Sequence, residues 1–372
     1  MSKLRCGLII NPAAGVGGET GFHGSDGDAV QKAAQAQGAV SPAPQRAERA
    51  LSHAMLLLDG EIDIVTGGGV LGEEAASRVG LTPTVVYQAG GEQTTAADTI
   101  ALARALCEAK VDVLVFAGGD GTARDVCDAV GAEIPVLGIP AGVKMHSGVF
   151  AITPEDVGFV LRSMVMGTSS TELVEVVDID EDARRSGVLR SRIYGHVRIP
   201  RAPKGIQRGK RSSMPSGPEV LHGIAAELAD RMRPGVITVF GPGTTTQALG
   251  SVLGLELSLL GVDVVCDGAL IGRDVAAGKL SALVGDKRFL VVVSPIGGQG
   301  VIFGRGNQQI NAEVLERLDR RDLVIVCTPE KLGQFAGRAL LVDAPNTELN
   351  QKFAGPVRVV TGYRQEAVLR IA

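Results

Sequence analysis

Hydrophobic and polar positions along the chain fall into two alternating patterns. Short, nearly continuous apolar runs bounded by glycine or proline have the length of buried strands, and the stretches between them carry apolar residues at helical spacing. The predicted strands of the first half are 6–12, 61–67, 82–88, 111–119 and 134–142, and the predicted helices are 28–37, 47–58, 73–80 and 95–109. This alternation predicts βαβ crossovers and a Rossmann-like parallel sheet with helices on both faces.

The same alternation resumes beyond residue 217 and predicts a second α/β domain. Its predicted strands are 236–241, 262–268, 289–297 and 322–328, with an antiparallel finish at 357–362 and 367–372. The second sheet is therefore expected to be mixed. We place the domain boundary near residue 168, which divides the chain into domains 1–168 and 169–372 with a cleft between them. The last strands are candidates to pack back on the first domain.

Composition narrows the class of protein. The chain has 372 residues and a net charge of −4, whereas nucleic-acid-binding domains are usually strongly basic, so no nucleic acid partner is expected. The start lacks the long apolar stretch of a secretory signal, and no apolar run reaches the length of a membrane span. Five scattered cysteines without a C-x-x-C pair are typical of a reduced compartment. These features predict a cytoplasmic protein without a membrane partner.

The basic stretch 198–217 is rich in proline, glycine and serine and predicts a long loop. Its RGKRSS segment does not satisfy the phosphate-binding P-loop pattern, because Arg211 stands where serine or threonine is required. Two interpretations stay open: a solvated loop, or a lid that folds over an anionic substrate.

Three glycine-rich segments, each following a predicted strand and leading into a helix, carry the strongest chemical signal. They lie at 85–98, 115–125 and 239–249. Such segments present backbone N–H groups and the positive end of a helix at the carboxyl edge of a sheet, where α/β proteins bind phosphates. Neither Gly15-Val16-Gly17 nor Gly241-Pro242-Gly243 completes the dinucleotide pattern G-x-G-x-x-G, which disfavours a hydride-transferring enzyme.

Asp120 is the residue that most needs an explanation, because a carboxylate among phosphate-binding glycines repels its ligand. It is tolerated there if it holds a cation that also binds phosphate, or if it accepts a hydrogen bond from an incoming hydroxyl. Both roles belong to phosphoryl transfer. The competing interpretation is an aspartate that caps its own turn.

The segment Gly118-Gly119-Asp120-Gly121-Thr122 resembles the nucleotide-binding core of the NAD kinase and diacylglycerol kinase superfamily. Asn11-Pro12-Ala13-Ala14-Gly15 is similar to the N-P-x-x-G segment of that superfamily, and Gly243-Thr244-Thr245-Thr246 with the preceding Gly241-Pro242 resembles the T-P-T-G-S-T segment of NAD kinases. Ser294-Pro295-Ile296 is similar to their later T-P-I. The segments 24–27 and 303–310 resemble the branch of the ATP-NAD kinase family that includes acetoin catabolism protein X.

The resemblance implies a phosphoryl donor, ATP or polyphosphate, over Asn11 and the glycines of the GGDGT segment. It further implies that Thr122 contacts phosphate, that Asp120 activates the acceptor hydroxyl or organises Mg²⁺, and that Thr244–Thr246 line the acceptor side. NAD is one candidate acceptor. By the same likeness we expect a homodimer or homotetramer.

The sequence departs from NAD kinases in two respects. They carry an Asn–acid pair that holds the dinucleotide, and the corresponding region here, 176–187, offers acids only. Their second domain is mostly β, whereas this one has an α/β pattern. These departures put NAD as the acceptor in doubt more than they do nucleotide binding.

Further acceptor-side candidates each have a structural alternative. Lys144 and His146 follow a strand expected to end beside Asp120, although surface placement explains them nearly as well. Asp26 is a candidate ligand or a turn residue, and Thr95 a ribose or phosphate contact or a helix cap. Arg305 and Asn307 lie in a polar turn flanked by glycines and are candidates for ligand contact. His23, His53, His196 and His222 show no metal spacing.

Two functions from different classes follow. The first is a small-molecule kinase that transfers a phosphoryl group to a hydroxyl of a nucleotide-like acceptor. The second is a catalytically silent nucleotide- or NAD-binding regulator of a catabolic operon. A lipid kinase is a lesser option, because aromatic residues are few and no basic amphipathic helix is present.

Overall fold

The computed structural model describes residues 3–18, 40–91, 93–142, 145–179, 191–201, 217–296, 300–333 and 338–372. Two compact units make up this part of the chain. The first contains the described residues of 3–16 and 40–201, and the second contains 17–18 and the described residues from 217 to 372. The predicted helix 28–37 and residues 202–216 of the predicted loop 198–217 lie outside the described residues. Residues 198–201 were wrongly predicted as loop, because they end the strand Ser191–Arg201.

The first unit is built on a five-stranded parallel sheet. Its strands are β1 (Leu4–Ile10), β2 (Ile62–Gly67), β3 (Thr84–Tyr87), β4 (Val113–Gly118) and β5 (Val136–Pro140), in the spatial order β3-β2-β1-β4-β5. Its helices are α1 (Ala43–Leu58), α2 (Glu73–Arg78), α3 (Ala96–Glu108), α4 (Asp120–Val130) and α5 (Asp156–Val165). The prediction of a Rossmann-like parallel sheet is confirmed.

Strand residues of the first sheet alternate between two cores. In β4, Val113 and Val115 face the side of the sheet covered by α1, α2 and α5. Leu114 and Phe116 face the side covered by α3 and α4. Because both faces are buried, the strand has no polar position, which explains why it is one continuous apolar run in the sequence.

A hairpin of two strands, β6 (Ser170–Ile179) and β7 (Ser191–Arg201), follows α5 and belongs to the first unit. Val176, Val197 and Ile199 are buried in the same core as Phe116. The sequence pattern does not predict this hairpin. The domain boundary near residue 168 stays a prediction.

The second unit is built on a seven-stranded mixed sheet. Its strands are β8 (Ile237–Phe240), β9 (Asp263–Cys266), β10 (Ala269–Gly272), β11 (Phe289–Val293), β13 (Leu323–Val326), β15 (Gly355–Gly362) and β16 (Gln365–Ile371), in the order β10-β9-β8-β11-β13-β15-β16. Strands β12 (Val301–Phe303) and β14 (Leu341–Val342) form a separate pair. The helices are α6 (Pro218–Arg231), α7 (Thr244–Val252), α8 (Ala277–Val284), α9 (Ala312–Arg317), α10 (Pro329–Gly333) and α11 (Thr347–Phe353).

The second sheet is also covered on both faces. Helices α8, α9 and α11 lie over the face that contains Val239, and α6 and α7 lie over the face that contains Phe240. Strands β8, β11, β13 and β15 are parallel, whereas β9, β10 and β16 bring in antiparallel pairing. The predicted mixed sheet and its antiparallel finish are therefore confirmed.

A surface ion network joins α6 to the last two strands. Arg231 donates to Glu227 at 2.8 Å and to Glu366 at 2.7 Å, and Arg358 donates to Glu366 at 3.1 Å. The pKa of Glu366 is lowered, first by the hydrogen bond from the Arg231 side chain. The pKa of Glu227 is lowered, first by the backbone N–H of Arg364.

We expect Glu366→Gln to lower the free energy of unfolding by about 1 kcal/mol at pH 7. Both carboxyl pKa values are lower in the folded protein, so the stabilisation is present above the ordinary glutamate pKa and is lost as pH falls through the lowered values. The difference between variant and wild type should therefore close below about pH 4 in urea unfolding. Glu256→Gln is the control, because the Glu256 side chain is 90% exposed. It should leave the free energy of unfolding unchanged both at pH 7 and below about pH 4. A difference for Glu366→Gln that persists at low pH would contradict the assignment.

Candidate active site

The order of strands in the first sheet reverses between β1 and β4. These strands are adjacent, but the chain continues from β1 to β2 on one side and from β4 to β5 on the other. Open α/β sheets bind their ligands at the carboxyl ends of strands at such a point of reversal. The segments that leave β1 and β4 here are those that begin with Asn11 and with Gly119.

Asn11 connects these two segments directly. Its side-chain Nδ2 donates to Thr122 Oγ1 at 2.9 Å, and its Oδ1 accepts from the backbone N–H of Ala13 at 3.0 Å. The first bond joins residues 111 positions apart, and the second shapes the turn that contains Pro12. The N-P-x-x-G and GGDGT segments therefore contact each other directly at the edge of the sheet.

Glycines permit a third segment to approach the same place. The backbone N–H groups of Ala141 and Gly142, directly after β5, donate to the Gly118 carbonyl at 2.9 and 3.1 Å. A Cβ on Gly119 would lie 3.2 Å from Gly142 Cα. A Cβ on Gly15, whose φ is +78°, would lie 2.3 Å from the Ala141 carbonyl oxygen. Backbone rather than side chains therefore forms this edge of the sheet.

The GGDGT segment is mostly strand end and helix start. Gly118 ends β4 and Asp120 begins α4, so only Gly119 lies between them, in an extended conformation with φ −118°. Thr122 is buried, and a Cβ on Gly118 would lie 2.4 Å from its Oγ1. The first turn of α4, including Gly121, thus places helix N–H groups beside the Asn11 turn.

The Asp120 carboxylate binds the backbone of a later segment. Its Oδ2 accepts from the backbone N–H of His146 at 2.7 Å, and its Oδ1 accepts from that of Ser147 at 3.0 Å. Ser147 Oγ in turn accepts from the backbone N–H of Val177 at 2.9 Å. Asp120 is half-buried and stands in the first turn of α4, where the helix dipole favours a negative charge. The carboxylate therefore connects the GGDGT segment to the residues after β5 and to β6.

This geometry bears on the chemistry open to Asp120. Backbone N–H bonds favour the ionised form of a carboxylate. An ionised carboxylate has about four acceptor positions, so it can accept several hydrogen bonds at once, including one from a hydroxyl, and it can also bind a metal ion. Within the described residues, no group of three or more His, Cys, Asp and Glu side chains could hold a metal. A single carboxylate still fits Mg²⁺, which proteins often hold by one carboxylate together with substrate phosphates.

Other candidates of the first unit differ in position. His146 is buried and lies at Asp120 through its backbone N–H. Thr95 caps α3: its backbone N–H and hydroxyl donate to Asp98 at 2.7 and 2.8 Å, and Asp98 also accepts from Tyr87. The pKa of Asp98 is lowered, first by the Thr95 hydroxyl. Lys144 and Asp26 lie outside the described residues.

The second sheet contains a similar reversal of strand order, between β8 and β11. Strands β8 and β11 are adjacent, but the chain continues from β8 to β9 on one side and reaches β13 after β11 on the other side. Gly243, with φ +140°, precedes α7, and Thr244, Thr245 and Thr246 form its first turn. Thr246 Oγ1 donates to the Gly243 carbonyl at 2.9 Å, Thr245 is buried, and Thr244 is exposed.

Arg305 and Asn307 form internal contacts of the second unit. Asn307 Nδ2 donates to the Ile302 carbonyl at 2.8 Å, and its Oδ1 accepts from the Gly304 N–H at 2.9 Å. Arg305 Nε lies 3.3 Å from Asp343 Oδ2, with side chains 5% and 1% exposed. Their described contacts shape the turn between β12 and α9, and a role in ligand binding stays a prediction.

We expect Asp343→Asn to lower the free energy of unfolding by about 3–5 kcal/mol, because it removes one charge of a buried pair and leaves the other. Chemical unfolding followed by circular dichroism measures the loss. Arg273→Met is the control, since Arg273 and Glu256 are 3.9 Å apart and mostly exposed, and it should change stability by less than about 0.5 kcal/mol. Similar small effects at both pairs would show that the Arg305–Asp343 pair is not structural.

The cysteine thiols offer no activated nucleophile. Burial is the first cause that raises the pKa of each of the five, to about 12 for Cys6 and about 11 for Cys327. A reactive thiolate would require a lowered pKa.

Among the residues that the structure describes, no helix has the length and apolar character needed to cross a bilayer.

Sequence reasoning missed one charged residue near the point where the strand order reverses. Arg46 lies in the first turn of α1, is 7% exposed, and donates through Nε to the Pro140 carbonyl at the end of β5. An arginine in an amphipathic helix is normally solvent-exposed. The sequence feature that could have indicated this burial is the run of small residues around Arg46. Alanines at 43, 47 and 50 allow the helix to pack closely against the sheet.

The first unit is a doubly wound α/β domain with a glycine-lined edge at its point of reversal, the build of a mononucleotide-binding domain. Residues 6–168 match the family model described as ATP-NAD kinase N-terminal domain, and residues 236–371 match the ATP-NAD kinase C-terminal domain. The chain belongs to the ATP-NAD kinase family, whose members generally use ATP and a divalent metal. A comparison with curated proteins found no match. Membership of the branch that includes acetoin catabolism protein X stays a prediction.

Proposed function

We propose that the protein is a kinase that transfers a phosphoryl group from ATP or polyphosphate to a hydroxyl of a nucleotide-like small molecule, with NAD among the candidate acceptors. The observation that carries the proposal is the Asn11–Thr122 hydrogen bond. It joins the two segments that resemble the superfamily's nucleotide core at the crevice where α/β sheets bind ligands. Family membership supports kinase-type transfer.

In this proposal, the residues at the carboxyl ends of β1 and β4 have separate roles in donor binding and in catalysis. Backbone N–H groups after β1 and in the first turn of α4 hold the phosphates of the donor, and Asn11 keeps the two segments in register. The terminal phosphoryl group would pass to the acceptor oxygen, with ADP or a polyphosphate shortened by one phosphate as the leaving group, and bound Mg²⁺ would neutralise charge on the phosphates. Asp120, fixed by two backbone bonds, orients the acceptor hydroxyl and accepts its proton, or serves as a protein ligand of the metal.

The loop of Gly243 and Thr244–Thr246 is proposed to bind a polar or anionic part of the acceptor through the start of α7. His146, Lys144, Asp26, Thr95, Arg305 and Asn307 remain weaker acceptor-side candidates. We further propose a cytoplasmic setting, supported by five free cysteines, and a homodimer or homotetramer, which sedimentation analysis can test.

An acceptor screen tests the proposed reaction. Purified protein is incubated with γ-labelled ATP or labelled polyphosphate, Mg²⁺, and a panel of dinucleotides, nucleosides, coenzyme A and small polyols. The expected result is one labelled product whose formation requires the acceptor. Release of inorganic phosphate alone, or no transfer to any member of the panel, would count against the kinase.

A nucleotide-binding regulator is the second candidate. The bonds of Asp120 to the backbone of residues 146 and 147 favour it, because an aspartate can be retained for such bonds without chemistry. The absence of an Asn–acid pair in 176–187 points in the same direction. Calorimetry that detects ATP or NAD binding, together with a screen that yields no product, would favour the regulator.

A further inference from the structure

The first turn of α7 presents backbone N–H groups that lack a partner. The N–H of Gly243, the residue before the helix, donates to the Leu259 carbonyl at 2.9 Å. Within the described part of the chain, no group accepts from the N–H groups of Thr244, Thr245 and Thr246. Such N–H groups carry the positive end of the helix dipole. Every helix start has them, so a ligand site requires further donors at the same place.

Thr245 adds a hydroxyl to these N–H groups. The residue is 8% exposed, and its hydroxyl bonds to no described residue. Thr246 differs, because its hydroxyl donates to the Gly243 carbonyl. Side chains of a helix tilt toward its N-terminus, so the Thr245 hydroxyl is directed to the end where the N–H groups lie. Its oxygen is not sealed from solvent as that of Thr238 is, and a ligand can therefore reach it.

Ser294 brings a second hydroxyl to the same edge of the sheet. It follows β11 directly and is 3% exposed. The adjacent strand β8 ends beside it, because a Cβ on Gly241 would lie 3.0 Å from Val293 Cγ1. Ser294 Oγ accepts from Lys331 Nζ at 2.9 Å. A hydroxyl both accepts and donates, and no described residue accepts the hydrogen of Ser294, so this hydrogen can be donated to a ligand.

Asn307 supplies a third donor beside Gly241. The residue is 2% exposed, and its Nδ2 would lie 3.8 Å from a Cβ on Gly241. One hydrogen of Nδ2 is donated to the Ile302 carbonyl, and the second has no acceptor among the residues that the structure describes. Two hydroxyls and one amide, from three separate segments, thus adjoin the Gly241–Gly243 turn.

One acidic residue, Asp263, also lies at this edge, opposite Phe240 in the pairing of β9 with β8. It is 1% exposed, and its carboxylate accepts from the backbone N–H and the hydroxyl of Ser258 and from the backbone N–H of Asp274. Its oxygens are therefore directed to those two residues. The groups around the Gly241–Gly243 turn are hydrogen-bond donors, and N–H and O–H donors at a helix start bind anions.

We propose that these donors bind a phosphate group that the acceptor already carries, so that the acceptor is a nucleotide and not a nucleoside. The inference rests on the proposed function, in which the loop of Gly243 and Thr244–Thr246 lies on the acceptor side. It adds Ser294 to the site and names the part of the acceptor that is recognised. The N–H groups of α7 and the hydroxyls of Thr245 and Ser294 hold the phosphate oxygens, and Asn307 donates beside them.

Nuclear magnetic resonance of the full chain with isotope-labelled threonine tests the inference. The N–H signals of Thr244 and Thr246 report the proposed phosphate site, and that of Thr122 reports the donor site. AMP and inorganic phosphate should shift the first two signals. We expect half-maximal shifts at AMP concentrations at least about tenfold lower than those of adenosine.

Variants test the named hydroxyls. Thr245→Val and Ser294→Ala should each weaken the AMP response of Thr244 and Thr246 by about tenfold, because each removes a hydrogen bond to a charged group. Thr245→Ser keeps the hydroxyl and should stay within about twofold of wild type. Ser251→Ala is the control: Ser251 is exposed at the far end of α7, donates to the Gln247 carbonyl, and should leave the response unchanged.

The outcomes separate this inference from the proposed function. Thr122 signals that shift with ATP and Mg²⁺, while neither AMP nor phosphate up to about 20 mM shifts Thr244 and Thr246, would overturn the inference alone. Equal responses to AMP and adenosine would do the same, because the site would then recognise base or ribose. An AMP response at Thr244 and Thr246 without any phosphorylated product in the acceptor screen would support the phosphate site and count against the kinase. If Thr245→Val does not fold, Ser294→Ala decides: a loss of about tenfold supports the site, and a smaller loss overturns it.

Discussion

Asp120→Asn is expected to lower the turnover of phosphoryl transfer by about 10²–10⁴-fold while ATP affinity changes by less than about threefold. The amide cannot accept a proton from the acceptor hydroxyl and is a poor ligand for Mg²⁺. It also places an N–H donor against a backbone N–H of residue 146 or 147, which should lower the free energy of unfolding by about 1–3 kcal/mol. Steady-state kinetics, calorimetry and urea unfolding measure the three quantities.

Asp128→Asn is the matched control for this variant. Asp128 lies in the same helix, is exposed, and accepts from Tyr194 at 2.8 Å. We expect turnover and ATP affinity of this control to equal those of the wild type. A folded Asp120→Asn protein with wild-type turnover would remove the catalytic role of the carboxylate and leave only its role in holding residues 146 and 147.

Gly15→Ala is expected to weaken ATP binding by more than about tenfold and to destabilise the fold by several kcal/mol. Two effects contribute. The residue has φ +78°, which costs an alanine roughly 1–2 kcal/mol. The new methyl group would also lie 2.3 Å from the Ala141 carbonyl oxygen, so the Asn11 turn or the Pro140–Gly142 segment must move.

Gly60→Ala separates these two effects. Gly60 has nearly the same φ, +79°, but a Cβ there would meet nothing within 4 Å. This control should therefore show the conformational cost alone, about 1–2 kcal/mol in thermal or urea unfolding, with ATP affinity unchanged. Equal stability losses in the two variants, with ATP affinity retained in both, would show that the close approach at Gly15 does not shape the nucleotide site.

The parallel sheet could be predicted because its strands have no solvent-facing side. The strand that contains Phe116 is an uninterrupted apolar run, and the glycine that follows it marks where the strand ends. The β6–β7 hairpin could not be predicted in the same way. In the hairpin, buried positions such as Val176 and Val197 are separated by exposed or polar residues. The pairing of β6 with β7 depends on packing against the core that contains Phe116, which the sequence pattern does not specify.

The candidate site could be predicted as a set of segments but not as a set of contacts. Glycines after apolar runs indicate phosphate-binding turns wherever they occur. The bond of Asn11 to Thr122 spans 111 residues, and the bonds of Asp120 reach backbone N–H groups 26 and 27 residues away. Backbone partners have no sequence signature. The burial of Arg46 depends on how closely α1 packs against the sheet, which helical periodicity does not specify.

Hydrogen exchange measured by mass spectrometry, with and without ATP and Mg²⁺, tests the central claim most directly. We expect ATP to slow exchange of backbone N–H groups in peptides that cover 9–16, 118–124 and 139–147, because these peptides contain the groups proposed to bind or adjoin the phosphates. Exchange in β16, at Gln365–Ile371, should not change. Unchanged exchange in all three peptides at saturating ATP would contradict the claim that the phosphates lie on the glycine turns between β1 and β4.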